Sequence, residues 1–273
     1  MDGSLESYVR WMGLRNLSPE TIRSRVSILA GLAATLGVPL ALAARDDLAR
    51  WEATLAIADA SRARYVSVVT CFYRWLLEDE RIGTDPARWL VAPKVPRRVP
   101  RPIPEDDLAL ALAAAAAPVR CWLLLAAYGG LRGAEIASVD RGDVYDTSDP
   151  PVVVVHGKGD RERLVPICPS LLDSLRPYLC GSGALFRRED GRPVNPAHVR
   201  RGCNGLLREL GIPSTLHKLR ARFASEIYRA SGRDLRLTQE LLGHASPSTT
   251  AGYVAWHPAQ AAAAVMNLGR RAS

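Results

Sequence analysis

This sequence predicts a mainly α protein in two domains, and three observations carry the prediction. Residues 1 to about 90 read as helix, with apolar positions recurring at helical spacing. Five prolines then fall within the twelve residues Pro93 to Pro104, a run that forbids regular helix or sheet and favours an extended connector. Beyond it, one pair of apolar strands around Gly157-Lys158-Gly159-Asp160 interrupts a helical second half and predicts a small antiparallel sheet. The expected organisation is a helical domain at 1–92, a Pro/Arg-rich linker at 93–104 and a larger, mostly helical domain at 105–273.

Ser4 to Met12 makes a short first helix. Ser18-Pro19 supplies an N-cap followed by proline at the first helical position, opening a second helix to about Leu36. Val26 to Ala44 is 19 residues without a charge, long enough to raise a membrane span. Gly37-Val38-Pro39 breaks it, so two soluble helices joined by a turn are expected and no membrane is involved. Asp46 to Leu55 gives a third helix and Ser61 to Glu80 a fourth. In the fourth, Tyr65, Val68, Val69, Phe72, Trp75 and Leu76 fall on one face and should be buried. Arg62 and Arg64 lie in its first turn, where free backbone N–H groups could receive a phosphate.

After the linker, Glu105 to about Val139 reads as apolar, alanine-rich helix. Strands follow at 152–156 and 163–167, and helices return at 169–179, 196–210, 217–231, 234–242 and 258–268.

The net charge of +8 favours a polyanionic partner, nucleic acid before membrane. Lys94, Lys158 and Lys218 are the only lysines; the remaining basic residues are arginine, whose planar fork suits phosphate. The linker carries Lys94, Arg97, Arg98 and Arg101 and no acid, so it could close over a duplex by phosphate contacts. Five cysteines form no CxxC pair and are odd in number, which reads as reduced thiols in a cytoplasmic protein. Met1 to Arg15 is polar and amphipathic, unlike a secretory signal.

Six residues could serve one reaction. Arg132 follows Tyr128-Gly129-Gly130-Leu131, a glycine break before a new helical turn, and Glu135 stands one turn further on, where it could orient a neighbouring cation. Lys158 occupies the hairpin tip between glycines. His217 and Arg220, three apart, share one face of a helix, where both could meet one phosphate, and Lys218 and Arg222 add charge there. Gly243-His244 precedes the polar stretch Ser246 to Thr250 and Tyr253, in a loop-like setting that could present a phenol outward. A phenol with a pKa of about 10 needs a base or strong electrophilic help to attack. His217 and His244 have no carboxylate or cysteine at ligand spacing, so no metal site is expected.

The ordered set, with the stretches "GLRGAEI" at 130–136, "HKLRARFAS" at 217–225 and "LLGHASPSTTAGYV" at 241–254, resembles the tyrosine recombinase (phage integrase) family. The resemblance is strong over residues 100–268 and weak over 1–90, which correspond to the family's helical core-binding domain. It implies a site-specific DNA recombinase that needs no cofactor and acts on double-stranded DNA as a tetramer on two duplexes, through a Holliday junction. Arg132, His217 and Arg220 would bind the scissile phosphate, with His244 adding a hydrogen bond. Lys158 would protonate the departing 5′ oxygen, His217 would take the phenol proton, and Tyr253 would form the covalent 3′-phosphotyrosine link. Ala221-Arg222 and Gly252 depart from common family usage at non-catalytic positions. Arg62, Arg64, Lys94, Arg97, Arg98, Arg101, Lys218 and Arg222 are the expected DNA contacts, and the helix at 258–268 would dock in a neighbouring subunit. The chain starts almost at the first core-binding helix, so a simple integrase of a phage or mobile element, without an arm-binding domain, is expected. A Xer-type resolvase of chromosome dimers and a non-catalytic repressor are the alternatives.

Overall fold

The computed structural model describes residues 3–95, 102–157, 161–243 and 265–266. The chain divides into two compact units, Met1–Arg98 and Val99–Ser273.

The first unit is four helices: α1 (Gly3–Leu14), α2 (Pro19–Leu36), α3 (Arg45–Thr54) and α4 (Asp59–Glu78). Ser18 caps α2 by accepting the Thr21 N–H at 3.3 Å, and Gly37 ends it in the left-handed region at φ 68°. The uncharged stretch is therefore split, and among the described residues no helix is long and apolar enough to cross a membrane. A short 3-10 turn at Leu40–Leu42, not foreseen from the sequence, is pinned where the buried Tyr73 hydroxyl donates to Leu40 O at 2.9 Å. α4 begins two residues before its expected start, with Asp59 in the first turn where the helix dipole favours an acid. Its inward face is Val66, Val68, Val69, Phe72, Tyr73, Trp75 and Leu76, whereas Tyr65 is only half-buried. Tyr8 of α1 packs edge-on to Phe72 at 5.1 Å and against Trp75 at 5.0 Å, and this aromatic contact joins α1 to α4.

The second unit opens with α5 (Glu105–Ala114), α6 (Val119–Tyr128) and α7 (Gly133–Ser138). The helical stretch expected over 105–139, with a glycine break before Arg132, is thus three helices. Pro118 cannot continue α5, and Gly129-Gly130 ends α6, with Gly130 at φ 66°. Every residue of α6 from Cys121 to Tyr128 is buried, and α6 packs against later helices on several sides. It is the axis of this unit's core, so truncating Leu124 to alanine should cost about 2–5 kcal/mol.

The sheet has three strands, β1 (Val144–Tyr145), β2 (Val152–Gly157) and β3 (Arg161–Pro166), antiparallel in the order β1-β2-β3. β1 was missed because two residues carry no alternation to read. Val153 pairs with Val165 and Val155 with Arg163, and the three valines are buried. Arg163 therefore stands on the core-facing side of the sheet.

Helices α8 (Pro169–Leu175), α9 (Pro196–Glu209), α10 (Leu216–Ala230) and α11 (Leu235–Leu242) complete the described fold. A 3-10 turn at Arg176–Tyr178 takes up the end of the helix expected to reach 179. Of the helix expected at 258–268, only Val265 and Met266 are described; both are helical, and Val265 belongs to the core. All five cysteines are free, with Cys121, Cys168 and Cys203 buried, Cys71 half-buried and Cys180 exposed. Burial pushes the Cys121 and Cys203 thiols up to about 12, where they stay protonated and inert.

Candidate active site

The site is built where the loop before α7, the α10 helix, β3 and the end of α11 meet. Gly130 makes the meeting possible. A Cβ on it would stand 2.4 Å from Phe223 Cδ1 of α10, and its positive φ is one that side-chain-bearing residues rarely adopt. Glycine lets the loop lie directly on the helix that carries Arg220.

Glu135 is the hub. It is 6% exposed and is the third residue of α7, placed to reach back over the helix start. Its Oε2 accepts the Arg132 backbone N–H at 2.7 Å and its Oε1 accepts Arg132 Nη1 at 2.6 Å. Arg163 grips the same carboxylate with both ends of its fork, Nη1 to Oε1 at 3.1 Å and Nη2 to Oε2 at 2.8 Å. Arg220 approaches Oε2 at 3.5 Å. Burial alone would push the Glu135 carboxyl up; the hydrogen bonds from Arg163 and the Arg132 backbone, with the Arg163 charge, outweigh it and hold it at about 2.

Arg220 is 4% exposed. Its Nη1 donates to Gly130 O and its Nη2 to Leu242 O at 2.5 Å, near the C-terminus of α11 where a cation is favoured. Burial, then the neighbouring charge of Arg132, pulls it down to about 10, so it remains a cation at neutral pH. Three guanidiniums thus surround one carboxylate. Arg132 is the exposed member, with its side chain 42% accessible, and is free to turn its outer N–H groups to an anion.

The start of α10 is fixed by Asn204 Oδ1, which accepts the Leu216 N–H at 2.8 Å, and Leu216 lies against the start of α7 beside Gly133. His217 follows Leu216 and is exposed, whereas Arg220 is buried: the two share a stretch of helix but not its exposure. Lys158, His244 and Tyr253 lie outside the described residues, as do Arg97, Arg98 and Arg101.

Of the other expected DNA contacts, Lys94 is exposed, and Lys218 Nζ donates to Pro213 O at 2.6 Å. Arg62 donates to Glu52 at 3.3 Å and Arg64 to the Ser24 hydroxyl, both within the first unit. Arg222 is a correction. It is 3% exposed, paired with Glu105 and 5.2 Å over the Tyr128 ring, because its position on α10 faces α5 and α6 rather than solvent. Such a side chain fastens helices and does not reach a phosphate. Sequence reasoning missed Arg163, although strand alternation does place it on the inward face. A charge there calls for a buried acid, and Glu135 is that acid.

A helical fold thus gathers arginines from separate elements around one ordering carboxylate, an arrangement of donors suited to an oxyanion. Residues 103–260 match the phage integrase family. Tyrosine recombinase XerC of Rhodospirillum centenum is 37% identical over 281 residues, covering 92% of this chain and 82% of that protein. XerC of Azotobacter vinelandii is 38% identical over 207 residues, covering 71% and 68%. Among solved structures, a lambda integrase tetramer bound to a Holliday junction is similar with a TM-score of 0.73 at 19% identity, covering 92% of this chain and 79% of that one. XerH recombinase bound to a palindromic difH substrate gives 0.65 at 17%, covering 90% and 78%. The chain belongs to the phage integrase family and is a tyrosine-type site-specific recombinase.

Proposed function

We propose that this recombinase cuts and rejoins duplex DNA through a covalent 3′-phosphotyrosine formed by Tyr253. The observation that carries the reading is the Glu135 hub, which brings Arg132 of the α7 start and Arg220 of α10 to one carboxylate, in a chain that carries the family's other motif residues in order. On this reading Arg132, Arg220 and His217 hold the scissile phosphate, and His244 adds a hydrogen bond. The phenol oxygen of Tyr253 attacks phosphorus while His217 takes its proton. The bond from phosphorus to the 5′ oxygen breaks, and Lys158 gives that oxygen a proton. The fixed guanidiniums stabilise the charge that builds on the equatorial oxygens. Attack by another strand's 5′ hydroxyl reverses these steps and needs no energy source. Four protomers on two duplexes are the assembly we propose, as in the lambda integrase tetramer on a Holliday junction.

Two roles fit this chemistry: integration of a phage or mobile element, and Xer-type resolution. The sequence relatives favour the Xer-type role, since they are XerC recombinases at 30–38% identity.

The test is an adduct assay on nicked duplexes drawn from DNA flanking the protein's own gene, resolved in SDS. An adduct from the wild type that vanishes in Tyr253→Phe supports the reading. Tight binding with no adduct from either protein would sink it in favour of a repressor.

A further inference from the structure

We infer that Arg163 is a positioning residue for recombination: its fork locks the Glu135 carboxylate that orients Arg132 and Arg220, and joins that carboxylate to β3 and α11. The inference rests on the proposed phosphotyrosine reaction and concerns how its cations are held.

Stability alone does not call for an arginine here. Position 163 is on the inward side of a sheet whose neighbours there are valines, and its side chain is 9% exposed. Replacing a buried ion pair by apolar residues is often neutral or stabilising. An apolar side chain cannot, however, fix the rotation of a carboxylate, and a bidentate fork does.

The contacts of Arg163 run in three directions. Nη1 and Nη2 take Glu135, while Nε donates to Leu241 O at 2.8 Å in the last turn of α11. Gly243, at φ 60°, passes over the guanidinium so closely that a Cβ there would be 3.0 Å from Nη1. Gly243 directly precedes His244, and β3 starts three residues after Lys158. One side chain therefore touches the carboxylate hub, the strand leading from Lys158 and the helix end leading to His244. Each of its three nitrogens has a protein partner, so it acts through Glu135 and not on the phosphate.

The variants are Arg163→Met, Arg163→Lys, Glu135→Gln and the Met/Gln double variant. The probe is a nicked duplex carrying the sequence recovered from the wild-type adduct. Adduct formation at saturating DNA is timed in a single turnover, DNA affinity is measured separately, and folding is checked by thermal melting. Arg163→Met should cleave about 100-fold more slowly, with DNA affinity little changed. Lysine should not rescue it, since it lacks the fork.

The pH profile separates positioning from mere folding. Among the described residues the charged groups facing Glu135 are Arg132, Arg163 and Arg220. Without Arg163 the Glu135 carboxyl moves back towards its ordinary range, so Arg163→Met should show an added acid limb, losing more rate on acidification than the wild type does. The double variant should lack that acid limb.

An undiminished rate in Arg163→Met, or a loss that is equal at every pH and adds fully to that of Glu135→Gln, would overturn the inference. If Arg163→Met does not fold, Arg163→Lys carries the same comparison. A wild-type protein that forms no adduct would sink the reading and the inference together; a wild-type adduct with unimpaired variants sinks the inference alone.

Discussion

Gly130 lies against the ring of Phe223, with three ring carbons within 3.0 Å of the place a Cβ would occupy. The loop that delivers Arg132 and the helix that delivers Arg220 are in direct contact at this point. Gly130→Ala should destabilise the protein by about 3 kcal/mol, from the strained φ together with the collision. Pairing it with Phe223→Ala should recover part of the loss, and urea titrations of the three variants would show whether the costs add.

Glu135 makes acid stability predictable in sign. Its carboxyl is held at about 2 against an ordinary 4.5, so its contribution is fully present above about 4.5 and fades as pH falls towards 2. The difference amounts to about 3 kcal/mol for this buried group. Denaturant midpoints between pH 7 and pH 3 should fall less steeply in Glu135→Gln than in the wild type. Equal slopes would show that the hub does not govern acid unfolding.

Two basic residues on α10 should behave oppositely. Arg222→Ala removes a buried fastening to Glu105 and Tyr128 and should cost about 2 kcal/mol, leaving the salt dependence of DNA binding alone. Lys218→Ala should keep full stability and flatten the salt slope by about 1. Melting curves and binding isotherms at several salt concentrations read both effects.

His156 stands between Asp143 Oδ1 at 2.8 Å and Glu162 Oε1 at 3.0 Å. The hydrogen bond to Asp143 raises its pKa above the ordinary 6.5, although the ring is half exposed. The stabilisation is complete below about 6.5 and is lost as pH rises through the raised value. An NMR titration of the imidazole should show a midpoint above 6.5 that drops in Asp143→Asn.

The sequence was most legible where local signals and global packing agree. Ser18-Pro19, Gly37 and the apolar stripe of α4 each specify one conformation, and the helices they bound are present. The strand pair was legible because Val152 to Val155 and Leu164-Val165 are β-branched or apolar on both faces. What failed depends on neighbours distant in sequence. Arg222 reads as a surface cation until α5 is known to bring Glu105 to it, 117 residues away. Arg163 reads as one more strand arginine until Glu135 of α7 is placed beneath it. His217 and Arg220 do share a helix at the expected spacing, but burial separates them, and burial is set by what packs on α10.

The arrangement of Arg132, Arg163 and Arg220 around Glu135 leaves two positive charges without a counter-charge among these four residues. Burial, and after it the neighbouring charges of Arg132 and Arg163, lower the pKa of Arg220. The folded chain thus holds an incompletely neutralised ion cluster, which an oxyanion would complete. Folding and anion capture become linked equilibria: phosphate at constant ionic strength should raise the melting temperature, by the equivalent of about 2.7 kcal/mol at a hundred times its dissociation constant. A DNA backbone phosphate would enter this cluster as its missing counter-ion.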